Sequence, residues 1–265
     1  MNAKKILILL TATLALAQAA FASGGTATYP NDPFQANLKD KVSLQNGAKY
    51  FVNYCSGCHS LQYQRYNRMF KDLEIDPEIG AKNLIFTGAK AVEQMHTGMS
   101  AAEGLKWFGQ TPPDLSLTAR AKSGTYIYNY LRGFYRDDSR PLGFNNSVFA
   151  GASMPNPLWE LQGIQQPVYH ESETCETVDG KEQCEKHSTL EGFEVIVPGI
   201  LNKEDPAKNK AAYDQVVYDI TNFLSYVSDP SALDRMRMGP WVLAFLAFLT
   251  MIFYLLKKEY WRDIH

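Results

Sequence analysis

Apolar positions along the chain recur with a helical rather than a strand period. The clearest run is Tyr213, Val216, Val217, Ile220, Phe223, Leu224 and Val227. Its spacing of i, i+3, i+4, i+7, i+10, i+11 and i+14 puts all seven on one helix face. Asp205-Pro206 supplies the start, a capping residue followed by proline in the first turn, and Pro230 lies just past the end. A second helix is predicted from a Ser43 cap, with Leu44, Ala48, Phe51 and Val52 on one side and Cys55 at its end. Residues 124–135 form a third pattern, with Ile127, Tyr130, Leu131 and Phe134 on one side. Residues 88–98 also read as helical, and Pro112-Pro113 interrupts regular structure. Between these, Asp72 to Gly80 reads as an acidic turn and 137–168 as a long loop rich in Pro, Gly and Asn. Strand alternation is weak and no internal repeat is present. The expected fold is mainly α, with long loops.

The two ends carry a different pattern. Lys4 and Lys5 precede an apolar run from Ile6 to Leu16, and Ala20-Phe21-Ala22 follows. That order describes a secretory signal over residues 1–22, with an apolar core too short to span a bilayer. From Met238 to Leu256 there are 19 residues without a charge. At a rise of roughly 1.5 Å per residue such a helix covers a hydrocarbon core of about 30 Å. Trp241 stands at one end and Tyr254, Tyr260 and Trp261 at the other, where amphipathic rings favour the headgroup level. The expected organisation is a leader (1–22), an exported domain (23–230), a linker (231–238), a transmembrane anchor (239–256) and a cytoplasmic tail (257–265). Lys257, Lys258 and Arg262 in the tail support that orientation, which places the main domain in the bacterial periplasm on the inner membrane.

Charge then has to be counted by compartment. The chain holds 26 basic and 28 acidic residues. Setting aside Lys4, Lys5, Arg235, Arg237, Lys257, Lys258, Arg262, Glu259 and Asp263 leaves 19 basic and 26 acidic residues in 23–234, a net charge near −7. A surface of that sign repels nucleic acid and favours a basic protein partner.

Cys55-Ser56-Gly57-Cys58-His59 carries the chemistry. Two thiols three residues apart on a tight turn can reach the two vinyl groups of one porphyrin, and the adjacent histidine can present its imidazole to the iron. Small Ser56 and Gly57 allow the backbone close to the ring edge. A dithiol oxidoreductase would want a preceding strand, and a zinc site would want a second ligand pair that Cys175 and Cys184 supply poorly. The expected cofactor is therefore one covalent haem c on Cys55 and Cys58, with His59 on the iron. A large rigid group at the centre also makes the long loops reasonable, since they can pack around it. Candidates for the sixth iron ligand are Met69, Met95, Met99, Met154, His96, His170 and His187. Met154 is favoured because it sits in a loop, Met154-Pro155-Asn156-Pro157-Leu158, whose prolines restrain its approach, whereas Met95 and Met99 fall on a predicted helix. A thioether ligand raises a haem potential and suits an electron donor.

Beyond the haem motif, Pro112-Pro113-Asp114-Leu115-Ser116, Met154-Pro155-x-Pro157-Leu158 and a single C-terminal anchor make the sequence resemble the cytochrome c1 family, the haem subunits of the cytochrome bc1 complex (ubiquinol:cytochrome c oxidoreductase). The resemblance covers almost all of the chain after the leader. It implies a cytochrome c-like haem domain with Met154 as the sixth ligand and Pro112 and Pro113 against the haem. It also implies Arg120 and Tyr126 as basic and phenolic partners of the propionates, with Lys122 an alternative for the basic role. The same resemblance implies that the Rieske iron–sulfur subunit delivers single electrons, that a basic cytochrome c accepts them, and that the anchor packs on cytochrome b in a dimeric complex. Such a chain is not an enzyme by itself.

The segment 171–194 is a polar insertion with eight acidic residues against two lysines. Asp179-Gly180 at its centre has the chemistry of a hairpin turn, and Cys175 and Cys184 are expected to form a disulfide in an oxidising compartment. The insertion reads either as a docking surface for a basic partner or as a solvated loop. Rival functions are a free-standing membrane-anchored periplasmic electron carrier, a haem protein with an open sixth position such as a peroxidase, and a disulfide-exchange protein without haem.

Overall fold

Asp40, not Ser43, caps the first helix, α1 (Lys41–Tyr54), its carboxylate accepting the Ser43 backbone N–H at 3.0 Å. Ser43 is buried one turn further on and donates its own hydroxyl to Asp219 Oδ1 at 2.7 Å. Both residue types can cap a helix; Asp40 does so because the Ser43 side chain is committed to an inter-helix contact. The structure, a computed structural model, describes residues 29–178 and 181–262, and the side chains of 174–187 also lie outside the described set. The leader expected over 1–22, the turn residues Asp179 and Gly180, and the last three tail residues fall outside it.

After α1 come β1 (Leu61–Arg65), α2 (Tyr66–Leu73) and α3 (Pro77–Leu84). The acidic turn expected over 72–80 is in part the start of α3, where the Asp76 carboxylate accepts the N–H groups of Glu78 and Ile79, each at 2.9 Å. The helix expected over 88–98 is absent. That stretch gives its backbone to α2 and β1 instead, through Asn67 N–H to Ala91 C=O at 2.7 Å and through a two-residue strand, β2 (Gln94–Met95), paired antiparallel with β1. The helix begins later, as α4 (Ala101–Phe108), where Ser100 and Glu103 form a reciprocal capping box.

Next come α5 (Thr118–Ala121) and α6 (Gly124–Arg132), then an antiparallel pair, β3 (Phe134–Arg136) and β4 (Phe144–Asn146). Phe134 thus leaves the helix on which it was expected and enters β3. A short helix, α7 (Trp159–Gln162), leads into a long antiparallel hairpin, β5 (Gly163–Val178) with β6 (Lys181–Pro198). The expected acidic insertion is the distal part of this hairpin, whose arms also take in the end of the expected loop. Apart from its base, where Phe193 packs on Tyr29 and Tyr135, the described side chains of this two-stranded ribbon are mostly exposed, so it has no broad buried face to impose a period-2 signature. Cys175 and Cys184 are direct cross-strand partners in its register.

The core forms where α8 (Pro206–Ser228) crosses α1. Asp205 caps α8 as expected, accepting from Ala207 and Lys208 N–H at 3.0 and 3.1 Å. Every member of the predicted apolar stripe on α8 is buried. At the crossing, a Cβ on Gly47 would collide with the Asp219 carbonyl and come within 2.6 Å of the Phe223 Cβ. The two backbones can approach this closely only because position 47 has no side chain, and Phe51 and Phe223 pack alongside with ring centroids 5.8 Å apart. Helix α6 is tied to α8 by Tyr213, whose hydroxyl donates to Leu131 C=O at 2.7 Å.

The chain closes with α9 (Ala232–Tyr260), 29 residues long with a mean hydropathy of 2.0 in its most apolar window and no burial within the chain. At roughly 1.5 Å per residue it is about 44 Å long, enough to cross a hydrocarbon core and protrude. The linker expected over 231–238 is therefore largely helical, forming the first two turns of α9. Those turns carry Asp234, Arg235 and Arg237, so the helix extends beyond the apolar stretch that marks the anchor in the sequence. Arg235 clamps the helix start to the domain, donating to the Asp229 carboxylate through both terminal guanidinium nitrogens, Nη1 at 2.8 Å.

Candidate functional site

The Cys55–His59 motif continues the last turn of α1. Cys55 N–H still donates to Phe51 C=O at 2.8 Å, and Cys58 N–H and His59 N–H both return to Cys55 C=O, at 3.0 and 2.9 Å. Residues 55, 58 and 59 are therefore related as i, i+3 and i+4 and face the same way. They line an apolar cleft of about 300 Å³ together with Pro112, Pro113, Tyr126 and Met154, within the range of cofactor clefts, roughly 300–1,000 Å³. Ile127 and Leu131 of α6 and Ile220 and Leu224 of α8 supply its apolar lining.

His59 is almost wholly buried, at 8% exposure. Its Nδ1 lies 2.7 Å from Pro113 C=O. A carbonyl only accepts, so Nδ1 carries the proton and Nε2 keeps a free lone pair, the arrangement a metal-ligating histidine needs. Burial, first of all, lowers the imidazole pKa, opposed by the Pro113 bond and by Asp114, and so favours the neutral ligand. The Pro113 carbonyl is held in turn. Asp114 accepts from Gln62 N–H at 2.8 Å and from Ser116 N–H at 2.9 Å, while Leu115 N–H donates to Ser60 C=O at 2.9 Å. The segment 112–116 is thereby pinned to the chain that leaves His59. On its outer side Gly104 lets α4 approach, since a Cβ there would come within 2.6 Å of the Pro112 ring.

Burial pushes the Cys55 thiol up to about 12, helped by nearby Cys58, and raises Cys58 as well. A disulfide-exchange site needs the opposite, a thiol pKa depressed towards neutrality. The pair suits thioether formation in an apolar cleft better than redox cycling.

Met154 reaches the cleft from a loop organised by two buried asparagines. Asn146 donates to Tyr130 C=O at 2.7 Å and accepts from Val148 and Phe149 N–H. Asn156 donates to Gln162 Oε1 at 2.6 Å and accepts from Leu158 N–H at 3.0 Å, and Gln162 donates onward to Arg132 C=O. Among the other candidate ligands, Met69 and Met95 are core residues at 0% and 3% exposure. Met95 lies on β2 and Met99 before α4, not on the helix expected over 88–98. His96 and His170 are exposed, and the side chain of His187 lies outside the described residues.

Arg120 does not line the cleft. It is exposed on α5, near Asp229, whose carboxyl is held low by its hydrogen bond from Arg235 above all, with Arg120 adding to the effect. Lys122, two residues on, does line it, with Nζ 5.8 Å from the centre of the Tyr126 ring. Two features are absent from the sequence-based expectations. Tyr130 donates its hydroxyl to Met154 Sδ at 3.6 Å. Arg132, 9% exposed, bridges Asp32 at 2.6 Å and Asp214 at 2.7 Å and so joins the N-terminal segment, α6 and α8. The Tyr126/Tyr130 spacing along α6 was a signal for the first; nothing local signals the second, because both of its partners are distant in sequence.

A pair of thiols, a neutral buried imidazole with one free nitrogen, a thioether and apolar walls in one cleft fit a haem of the c type. The profile of the Cytochrome C1 family matches residues 89–264. Cytochrome c1 of Allochromatium vinosum is 45% identical over 98% of this chain and 99% of its own length. The ammonia monooxygenase gamma subunit of Nitrosomonas europaea is 38% identical over 99% of this chain and 100% of its own. Cytochrome c1 of Rhodospirillum rubrum is 26% identical over 98% and 97%. The chain belongs to the cytochrome c1 family, membrane-anchored haem proteins that act as electron-transfer subunits and not as enzymes on their own.

Proposed function

We propose that this chain holds one haem c, bonded through Cys55 and Cys58 with His59 and Met154 on the iron, and relays single electrons from the Rieske iron–sulfur protein to a basic cytochrome c within a dimeric, quinol-oxidising bc1 complex. The observation that carries the reading is the convergence of Cys55, Cys58, His59 and Met154 on one apolar cleft. When bound there, the haem supplies a one-electron carrier whose potential follows its axial ligands and their surroundings.

The chain's own residues have four tasks. Cys55 and Cys58 tether the porphyrin. His59 presents Nε2 while the Pro113 carbonyl holds its other nitrogen. Met154 would offer the iron a soft sulfur, which raises the potential relative to a second imidazole. Ile127, Leu131, Ile220 and Leu224 exclude water. Tyr126 and Lys122 are the polar groups in the cleft wall suited to the propionates, which makes Lys122 a better basic partner than Arg120. The acidic distal hairpin is suited to guiding a basic acceptor. Helix α9 anchors the domain, with Lys257 and Lys258 on the cytoplasmic side and the haem domain in the periplasm.

The test is a reduced-minus-oxidised spectrum of the native protein, extracted gently from membranes. Co-purification of b-type haem and an iron–sulfur protein, with quinol oxidation coupled to cytochrome c reduction, is the expected result. A preparation holding c-type haem alone would make this a free-standing carrier. The likeness to a protein named as an ammonia monooxygenase subunit suggests a second assembly. Co-purification with such an enzyme, and no cytochrome b, would favour it.

A further inference from the structure

We infer that Tyr130 is a positioning residue for the Met154 sulfur, its hydroxyl donating a hydrogen bond to Sδ that withdraws electron density from the thioether and so raises the reduction potential of the haem. The inference rests on the proposed reading of Met154 as an iron ligand.

The geometry leaves the Tyr130 hydroxyl little freedom. Its ring is stacked on Tyr126, centroids 5.8 Å apart and planes 19° from parallel, and meets Phe134 edge-on at 5.2 Å. Its backbone carbonyl is tied to Asn146 at 2.7 Å, the residue that also organises the start of the Met154 loop. A ring held on two sides sends its hydroxyl in one direction, and there Met154 Sδ accepts at 3.6 Å. Sulfur is a weak acceptor, so the contact adds little to folding. Its effect falls on the sulfur, because the lone pair polarised towards the hydroxyl proton is less available to an electron-poor metal. Oxidised iron depends more on that donation than reduced iron, so the bond disfavours the oxidised form. This is tuning by an outer-shell hydrogen bond, the lever that acts on haem and metal centres generally.

The experiment compares Tyr130→Phe with the native chain in its intact membrane complex. Four readings are taken: the midpoint potential, the sulfur-to-iron charge-transfer band of the oxidised protein, the thermal midpoint, and the displacement of the methionine by imidazole. The expected result is a lower midpoint potential, by up to tenfold in the redox equilibrium constant, or about 59 mV for one electron. The band should persist and the thermal midpoint should change little. Imidazole should displace the methionine less readily than in the native protein, since the oxidised iron–sulfur bond is strengthened. An unchanged or raised potential with the band intact would overturn the inference. Met154→Leu, measured alongside, separates the two claims: if it too leaves band and potential unchanged, it is the ligand assignment that fails. Should Tyr130→Phe not assemble, 3-fluorotyrosine at position 130 preserves the shape and makes the hydroxyl a stronger donor. The potential must then rise, and a stationary value overturns the inference equally.

Discussion

His59 and Pro113 are joined by a 2.7 Å hydrogen bond from the imidazole Nδ1–H to the backbone carbonyl, so the orientation of the histidine is set by a residue 54 positions away. The segment that carries this carbonyl is held by Asp114, which accepts the Gln62 N–H of β1 through one carboxylate oxygen and closes a local turn on the Ser116 N–H through the other. Removing that brace should loosen both segments. Asp114→Ala is expected to lower stability by about 1–3 kcal/mol, the cost of leaving backbone donors without an acceptor. Thermal unfolding of the detergent-solubilised protein measures it, and a loss well under 0.5 kcal/mol would show that the brace is redundant.

Met154→Leu keeps the volume of the side chain and removes the sulfur. The midpoint potential should fall by a large margin and the sulfur-to-iron band should vanish. A redox titration that superimposes on that of the native protein would remove Met154 from the iron.

Gly47→Ala places a methyl group where α1 and α8 are in backbone contact, 2.6 Å from the Phe223 Cβ. Overpacking of this kind costs about 1–3 kcal/mol, and here it opposes the small gain of alanine over glycine in a helix, about 1 kcal/mol. The variant should be destabilised on balance. An increase in thermal midpoint would mean that the helices separate freely at this crossing.

Burial pushes the Tyr130 phenol up to about 12 from an ordinary value near 10. Tyr213 and Tyr226 are raised further, by burial above all. The unfolded chain therefore loses these protons at a lower pH than the folded one. The stability they contribute is complete below about pH 10; that of Tyr130 is lost as pH rises through about 12, and that of Tyr213 and Tyr226 goes on falling above it. The thermal midpoint should be level from about pH 8 to about 10 and decline above that. A level profile up to pH 12 would contradict the burial of these phenols.

Cys175 and Cys184 are directly opposed in the β5–β6 register. The double replacement Cys175→Ser with Cys184→Ser should leave the covalent haem in place, while limited proteolysis cuts the distal hairpin faster. Loss of haem in this variant would show that the hairpin takes part in assembling the cleft.

What the sequence by itself determined about this protein lies within a few helical turns. The i, i+3, i+4 spacing of Cys55, Cys58 and His59 puts them on one face wherever α1 goes, and the stripe from Tyr213 to Val227 defines the buried face of α8 because a 3.6-residue period repeats locally. The anchor is legible for the same reason: length and apolarity are properties of one segment. The hairpin is not, since a ribbon that buries little of its described surface shows no alternation; the start of α4 is written locally, in the Ser100–Glu103 capping-box spacing, and outweighs the apolar pattern upstream. Met154 was legible from its proline-restrained loop, but only the tertiary structure decided that Lys122 rather than Arg120 lines the cleft, and that Pro113 and Tyr130 supply the polar contacts to His59 and Met154. Those contacts join segments distant in sequence, and they exist because α1, α6 and α8 pack at one particular approach, with glycine at their crossing and buried asparagines fastening the loop above.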